Sequence, residues 1–243
     1  MVFKHSYVVP IILVIWFPLT FIITYTLSVV NENVKPLFPY ISDTGSWSPE
    51  SCIFGILLTT GAIFMWIIIY VRYRQVRELC EKNDFKSYTH KLNKISLYLA
   101  CIASYGLIVV ANFQVTNVLV VHLIGAGMCF GLGTLYQILQ VVISFLIYPT
   151  FGKKSINIFR AFCTVICIIT LTLTSGFALV SILQFTGDDL TKWGKEDGGY
   201  DFHLVSTIAE WILAIFTQFF LVTYTEEFKL VEFSEPTIIA KLA

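Results

Sequence analysis

The sequence contains little charge. Only 13% of its 243 residues are charged and 56% are hydrophobic, whereas about 25% of the residues in a typical soluble domain are charged. A soluble domain must cover its surface with polar side chains, and this composition provides too few of them. The composition therefore excludes a soluble globular protein. Because the net charge is zero, no overall field attracts nucleic acid, and we expect no nucleic-acid partner.

Three common sequence markers are also absent. The six cysteines do not form the pattern of a disulfide framework, and most lie in apolar runs, as expected of reduced thiols buried in a membrane. There is no Asn-x-Ser/Thr sequon, so glycosylation provides no check on topology. No internal repeat is visible of the kind that indicates a transporter with two inverted halves.

Six apolar runs are present, and each is long enough to cross a hydrocarbon core of about 30 Å as a helix. The sequence therefore predicts an all-α polytopic membrane protein with six transmembrane helices in a single domain, residues 1–243, ending in a short cytosolic tail at residues 225–243. The predicted spans are residues 7–30, 52–71, 95–113, 119–148, 161–183 and 202–224.

The Lys and Arg residues are distributed unevenly between the connectors. If six helices cross the membrane, Lys35, Lys192 and Lys195 are the only three of the 16 basic residues on one face. The rest, including Lys4, Lys229 and Lys241, fall on the other face. Cytoplasmic segments carry the excess of Lys and Arg in membrane proteins, so both termini are predicted to be cytosolic.

Polar residues are predicted to gather near the opposite, lumenal face. Glu210 lies inside the sixth span, where a carboxyl group must face protein or water. The residues of this predicted lumenal cluster are Asp43, Glu50, Asn112, Gln114, His122, His203 and Glu210. A structural polar network is the favoured interpretation. A proton-coupled path is an alternative, because His and a buried carboxyl group can exchange protons at acidic pH.

A metal-dependent hydrolase is the third interpretation of the lumenal cluster. Histidine and carboxylate side chains can bind zinc and activate a water molecule. The spacing gives this idea no support, because the candidates come from separate elements and no His-Glu-x-x-His motif occurs. We therefore assign no catalytic residue, no metal ligand and no cofactor.

Two further features suggest contacts with lipid and between helices. The segment between the second and third spans is basic, which the orientation rule alone explains, although contact with anionic lipid headgroups is an alternative. The basic residues concerned are Arg72, Arg74, Arg77, Lys82, Lys86, Lys91 and Lys94. In the fourth span, Gly127 and Gly131 have the GxxxG spacing that favours close helix packing, within the bundle rather than between two copies.

Several motifs resemble those of a known family. The first is the string Phe38-Pro39-Tyr40-Ile41-Ser42-Asp43-Thr44-Gly45, followed by Pro49-Glu50 and Ile53-Phe54-Gly55. The others are Tyr70-Val71-Arg72-Tyr73, Val110-Ala111-Asn112-Phe113-Gln114, His122 with Gly125-Ala126, and His203 with Glu210-Trp211. In this order they resemble the DNA damage-regulated autophagy modulators, within the wider Frag/DRAM/Sfk membrane family.

This resemblance extends from about Trp16 to Phe228 and implies a function. It implies a six-helix protein of lysosomal or late endosomal membranes that promotes autophagy and, in some relatives, cell death. Other branches of the family suggest an alternative, a membrane-lipid regulator or phosphoinositide-kinase scaffold using the basic segment 72–94. The expected partners are membrane lipids, including anionic headgroups, and protein partners are unknown.

Overall fold

The computed structural model describes residues 5–83 and 85–232. Lys4, Lys241 and the predicted tail beyond residue 232 lie outside the described residues. The described part is helical, without strands, and six helical segments are long and apolar enough to cross a membrane. The all-α fold class predicted from the sequence is thus confirmed. The helices are α1 Val8–Val30, α2 Glu50–Lys82, α3 Ser87–Asn112, α4 Val115–Ala126, α5 Gly133–Ile147, α6 Lys154–Gln184, α7 Tyr200–Val222 and α8 Tyr224–Phe228.

Helices α2 and α3 extend well beyond the spans predicted from hydropathy. Helix α2 continues to Lys82 and α3 begins at Ser87, so most of the basic segment 72–94 is helical rather than a loop. Arg, Glu and Lys favour helices, and two i,i+4 ion pairs lie on the extension of α2, Arg77 with Glu81 and Glu78 with Lys82. Hydropathy marks only the apolar part of such a helix.

The fourth crossing consists of α4, a π-helical turn at Gly127–Leu132, and α5. Helix α3 and the fourth crossing approach each other closely at Gly106 of α3 and at Gly125 of α4. A Cβ added at Gly106 would lie 2.6 Å from the Met128 Cβ, and one added at Gly125 would lie 2.8 Å from the Val109 side chain.

The prediction that Gly127 and Gly131 allow close helix packing within the bundle is wrong. A Cβ added at either position would meet nothing within 4 Å. Both glycines lie in the π-helical turn, where side chains do not repeat with the spacing of an α-helix. The four-residue spacing therefore does not produce one stripe facing α3.

The two ends of the bundle differ in their connectors. Long connectors at residues 31–49 and 185–199 lie at one end, named here the loop end. Short connectors lie at the other end, named here the basic end; one includes residues 83, 85 and 86, and the other is residues 148–153. Between the two ends, buried apolar side chains such as Leu13, Phe17, Phe54 and Leu58 fill the core.

Candidate functional site

The first connector is bound to α7 at three consecutive residues. The Pro39 carbonyl oxygen accepts a hydrogen bond from Trp211 Nε1 at 2.9 Å. The Tyr40 hydroxyl donates to Ser206 Oγ at 2.7 Å, and the Ile41 amide donates to Glu210 Oε2 at 2.7 Å. The 3₁₀ turn that follows, Asp43–Gly45, is buried. The connector is therefore part of the folded interior at the loop end.

Asp43, which is buried, and Glu210, which is half-buried, form an acidic pair. Asp43 is 2% exposed, and its Oδ2 accepts one hydrogen bond, from the Tyr40 amide at 3.3 Å. Within the described part of the chain, no Lys or Arg forms an ion pair with either acid. Burial raises the pKa of Asp43 well above its usual value, and the nearby Glu210 and Asp189 carboxylates raise it further. The environment of Asp43 thus favours its protonated form.

His203 joins the first and third connectors. Its ring lies edge-on to Tyr40, with centroids 5.1 Å apart, and stacks on Trp193 at 4.2 Å. Trp193 belongs to the third connector and donates from Nε1 to the Gly198 carbonyl oxygen at 3.1 Å. His203 Nδ1 is buried without a hydrogen-bond partner. The histidine thus packs between aromatic rings on two connectors, and it belongs to the same assembly as Tyr40.

Glu50 has a separate set of partners. Its Oε1 accepts hydrogen bonds from Asn31 Nδ2 at 2.6 Å and from Asn33 Nδ2 at 3.0 Å. It lies in the first turn of α2 and is 1% exposed. Glu50 therefore ties the end of α1 to the beginning of α2.

The remaining members of the predicted lumenal cluster are dispersed. Asn112 donates to Thr59 Oγ1 at 3.1 Å and lines an outer groove together with Gln114. His122 Nδ1 lies 2.7 Å from the Phe113 carbonyl oxygen. His122 and Glu210 line the same internal cavity. The structure thus brings Asp43, His203 and Glu210 together around Tyr40 and places Glu50, Asn112 and Gln114 elsewhere.

The described residues do not provide the ligand set of a metal enzyme. No group of three or more His, Cys, Asp or Glu side chains among them has the arrangement that could hold a metal ion. The hydrolase interpretation required such convergence, so the geometry gives it no support.

At the basic end, sequence analysis missed a second buried site. Arg72 and Arg160 are both 0% exposed, and Glu227, which lies between them, is 3% exposed. Arg160 contacts Glu227 through two hydrogen bonds, Nη1 to Oε1 at 2.9 Å and Nη2 to Oε2 at 3.0 Å. Arg72 donates from Nη1 to Glu227 Oε2 at 2.7 Å. We call these three residues the Arg-Glu-Arg triad.

Polar and aromatic neighbours surround the triad. Ser144 Oγ accepts from Arg72 Nη2 at 3.1 Å and from Arg160 Nη1 at 3.0 Å. The Tyr224 ring lies 5.2 Å from the Arg72 guanidinium carbon and 4.6 Å from that of Arg160, within the range of cation–π attraction. Helices α2, α5, α6 and α8 are joined through these contacts. The triad therefore fixes four helices at the basic end.

The anionic-lipid contact predicted for Arg72 is not available to it, because its guanidinium group is buried and paired inside the bundle. The other six residues of the predicted set are exposed: Arg74, Arg77, Lys82, Lys86, Lys91 and Lys94. Position along the sequence does not distinguish the buried arginines. Arg72 directly follows an apolar run and Arg160 directly precedes one, but the exposed Lys94 also directly precedes one.

Comparison with known proteins identifies the family. The model of the Frag1/DRAM/Sfk1/Cwh43P N-terminal domain matches residues 5–231. The chain belongs to this family. It is 35% identical over 223 residues to DNA damage-regulated autophagy modulator protein 2 of Bos taurus, covering 90% of this chain and 83% of that protein. It is 34% identical over 222 residues to modulator protein 1 of Homo sapiens, covering 91% and 90%.

A more distant relative has a different name. The chain is 31% identical over 208 residues to the modulator of macroautophagy TMEM150B-A of Xenopus laevis, covering 85% of this chain and 79% of that protein. No solved structure matches the chain. In this Frag1/DRAM/Sfk1/Cwh43P family member, the Pro39–Gly45 string that carries the sequence resemblance is the segment bound to α7 at the loop end.

Proposed function

We propose that this protein is a membrane modulator of autophagy that acts in lysosomal or late endosomal membranes. Support for autophagy comes from the relatives, which are named autophagy modulators and are similar over about nine-tenths of this chain. Cell death is a further role that the family resemblance suggests, and we propose it only as a consequence of altered autophagy.

The acidic pair at the loop end is the observation that favours an acidic compartment. Asp43 is buried, Glu210 is half-buried, and no cation pairs with either among the described residues. A buried carboxyl group beside a second one is tolerated best when at least one of the two is protonated. If the loop end faces the lumen of a late endosome or lysosome, the acidic pH there favours that state. The exposed Lys and Arg residues of the basic end would then face the cytosol.

The proposal is tested by complementation. Cells lacking the protein would receive the wild-type chain, His203→Ala, or His122→Ala, and autophagic flux would be measured with and without an inhibitor of lysosomal degradation. We expect His203→Ala to reduce flux by at least half, because the ring joins two connectors at the loop end. Wild-type protein that reaches lysosomes and leaves flux unchanged would overturn the proposal.

His122→Ala is the matched comparison. His122 contacts the Phe113 carbonyl group in the short connector between α3 and α4, whereas His203 packs against the first and third connectors. Both variants must match the wild type in abundance and location. Loss of flux in His203→Ala alone supports a loop-end function, whereas equal flux in all three proteins contradicts it.

A second candidate function is lipid regulation or phosphoinositide-kinase scaffolding at the basic end. Six exposed basic side chains on the extensions of α2 and α3 and in the connector between them favour it, since each Lys or Arg near an anionic membrane contributes about 1 kcal/mol of attraction. Replacing those six residues with Gln, while keeping Arg72, should abolish binding of a soluble inositol polyphosphate to the purified protein. Replacing Lys35, Lys192 and Lys195 with Gln is the control at the other end. Equal binding by both variants would contradict the scaffold proposal.

A further inference from the structure

A groove on the outer surface of the bundle lies toward the loop end, between α1, the first connector and α7. Its walls include Ile22 and Tyr25 of α1, Trp211 of α7 and the connector residues Pro36–Pro39, named here the proline segment. The volume of the groove is about 470 Å³, within the range of about 300 to 1,000 Å³ that is typical of ligand pockets. The groove is therefore large enough to receive part of a lipid molecule.

The helical walls of this groove lie at membrane depth. Helix α1 has 23 residues, which gives it a length of about 34 Å, close to the hydrocarbon thickness of about 30 Å. Ile22 lies about 12 Å before the end of α1 at Val30, and Trp211 lies about 16 Å after the start of α7 at Tyr200. Both positions are inside the hydrocarbon core that the two helices cross, so the groove faces lipid rather than water.

Two hydrogen bonds hold the proline segment below the ends of these helices. The Pro36 carbonyl oxygen accepts from the Tyr25 hydroxyl at 2.7 Å, and the Pro39 carbonyl oxygen accepts from Trp211 Nε1 at 2.9 Å. Side chains on a helix lean toward its N-terminus, which for α1 is the basic end, so the Tyr25 side chain leans deeper into the membrane. The segment therefore lies beside the membrane-spanning parts of α1 and α7.

The backbone of the proline segment suits a lipid environment. Two of its four residues are prolines, which have no amide N–H. The Phe38 amide donates to the Pro36 carbonyl oxygen at 3.1 Å. Leu37 then carries the one amide of the segment that has no hydrogen-bond partner among the described residues. Unsatisfied backbone groups make non-helical chain costly in hydrocarbon, and this sequence keeps the number of unsatisfied donors to one.

The side chains of the segment continue the lipid-facing surface of α1. Ile15, Leu19 and Ile22 are exposed at i, i+4 and i+7, and this stripe ends at the groove. Leu37 is 52% exposed and Phe38 is 46% exposed. Phe38 also has φ +46°, a left-handed conformation that is unfavourable for a bulky residue. Two adjacent apolar side chains exposed in this way are unfavourable in water and favourable in hydrocarbon. Continuity with the stripe therefore favours lipid as the neighbour of the segment.

We propose that the proline segment is a membrane-inserted part of the first connector, with Leu37 and Phe38 among the acyl chains of the leaflet at the loop end. The groove beside it takes an acyl chain of a phospholipid from that leaflet. Lys35, which directly precedes the segment, is exposed, and its charge keeps it at the level of the headgroups. This inference does not depend on the role in autophagy, since it concerns the purified protein in a bilayer.

Spin labelling of the full-length protein in phosphatidylcholine nanodiscs tests the proposal. Cys52, the exposed native cysteine, is replaced by Ser throughout. A nitroxide is attached at Phe38→Cys, at Ile22→Cys as the lipid control, or at Lys195→Cys as the aqueous control. Molecular oxygen concentrates in hydrocarbon, whereas a polar nickel chelate stays in water. We expect the ratio of oxygen to nickel accessibility at position 38 to match that at position 22 and to exceed that at position 195 at least threefold.

Two results of this measurement would overturn the proposal. A ratio at position 38 equal to that at position 195 would show that the segment lies in water. Low accessibility to both reagents would show that protein covers the groove. In that second case, spin–spin broadening that disappears on dilution with unlabelled protein would identify the covering protein as a second copy of this chain.

Tryptophan fluorescence provides a second measurement that leaves the proline segment unchanged. Trp211 lines the groove, whereas Trp193 in the third connector is 4% exposed. The wild type, Trp211→Phe and Trp193→Phe would be compared in nanodiscs of ordinary phosphatidylcholine and of phosphatidylcholine with brominated acyl chains, since bromine quenches tryptophan only at short range. The emission that Trp211→Phe removes should be quenched by at least half, and the emission that Trp193→Phe removes by less than one-fifth. Equal quenching of the two contributions would contradict an acyl chain in the groove.

Discussion

At the loop end, the buried Asp43 and the half-buried Glu210 have no cation partner among the described residues, whereas at the basic end two guanidinium groups share the carboxylate of Glu227. Both ends bury charge that is not balanced locally, but with opposite signs. A carboxyl group can become neutral by taking up a proton, while arginine cannot be deprotonated in a protein. We infer that the stability of the loop end depends on pH, whereas the charged contacts at the basic end are permanent and structural.

Replacing the single acidic residue of the triad should have the largest effect on stability and tests the contrast between the two ends most strongly. Glu227→Gln leaves Arg72 and Arg160 buried without a counter-ion, and we expect it to lower the free energy of unfolding by about 3 to 5 kcal/mol. Denaturant unfolding in micelles measures the loss. Glu226→Gln is the matched control, because the neighbouring Glu226 is exposed and pairs with exposed Lys153 and Lys229, which limits its effect to about 1 kcal/mol. Equal losses in the two variants would contradict the role of the triad.

Removing one base should be less harmful than removing the acid. Arg160→Met leaves Arg72 and Glu227 as a balanced pair, so the cost is lost hydrogen bonds and packing, about 1 to 3 kcal/mol. The same unfolding measurement applies. Arg72→Met should cost about as much as Arg160→Met, because each guanidinium group donates four hydrogen bonds inside the bundle. A loss larger than that of Glu227→Gln would show that charge balance does not govern this site.

The pH dependence of stability sharpens the contrast at the loop end. Because the pKa of Asp43 is raised in the folded protein, the folded state holds its proton at pH values where the unfolded state has released it. The contribution of Asp43 to stability is therefore fully present below the unfolded pKa of about 3.9. It is lost as pH rises toward the folded pKa, with a slope of at most about 1.4 kcal/mol per pH unit.

Asp43→Asn removes this titration and keeps an oxygen that can accept from the Tyr40 amide. The difference in unfolding free energy between pH 5 and pH 7 should therefore be smaller in the variant than in the wild type. Glu50→Gln is the control, since Glu50 lies in a separate set of contacts. A pH response of Asp43→Asn identical to that of the wild type would contradict the assignment.

The smallest effect concerns the hydroxyl group that anchors the first connector. Tyr40→Phe removes the hydrogen bond to Ser206, and we expect a loss of about 1 kcal/mol. Tyr25→Phe, which removes an exposed hydrogen bond to the Pro36 carbonyl group, should cost less. Thermal unfolding of the two purified variants provides the comparison, and a larger loss in Tyr25→Phe would contradict the docking of Tyr40.

The sequence predicts more of the loop end than of the basic end. The six helices follow from apolar runs, and Glu210 is conspicuous because an acid inside such a run needs protein or water beside it. The partners of Glu210 are less visible, because the Ile41 amide is a backbone group. Membrane level alone therefore predicts that Asn112 and Gln114 belong to the same cluster.

The basic end was harder to interpret for a physical reason. Hydropathy and the orientation rule describe Arg72 and Arg160 in the same way as Lys82 or Lys86, since all of them lie on the basic face. Burial of the two arginines depends on Glu227, which α8 places beside them. Such a contact spans more than 150 residues in the case of Arg72, and no local pattern encodes it.

We propose that the loop end faces the lumen of an acidic organelle and that the basic end faces the cytosol. Cysteine accessibility in cells with a permeabilised plasma membrane and intact lysosomes tests it most directly, using Lys35→Cys, Lys86→Cys and a membrane-impermeant maleimide, with the wild type as the background control. We expect labelling at position 86 in intact lysosomes, and at position 35 only after the lysosomal membrane is opened. Labelling of position 35 in intact lysosomes would contradict the claim.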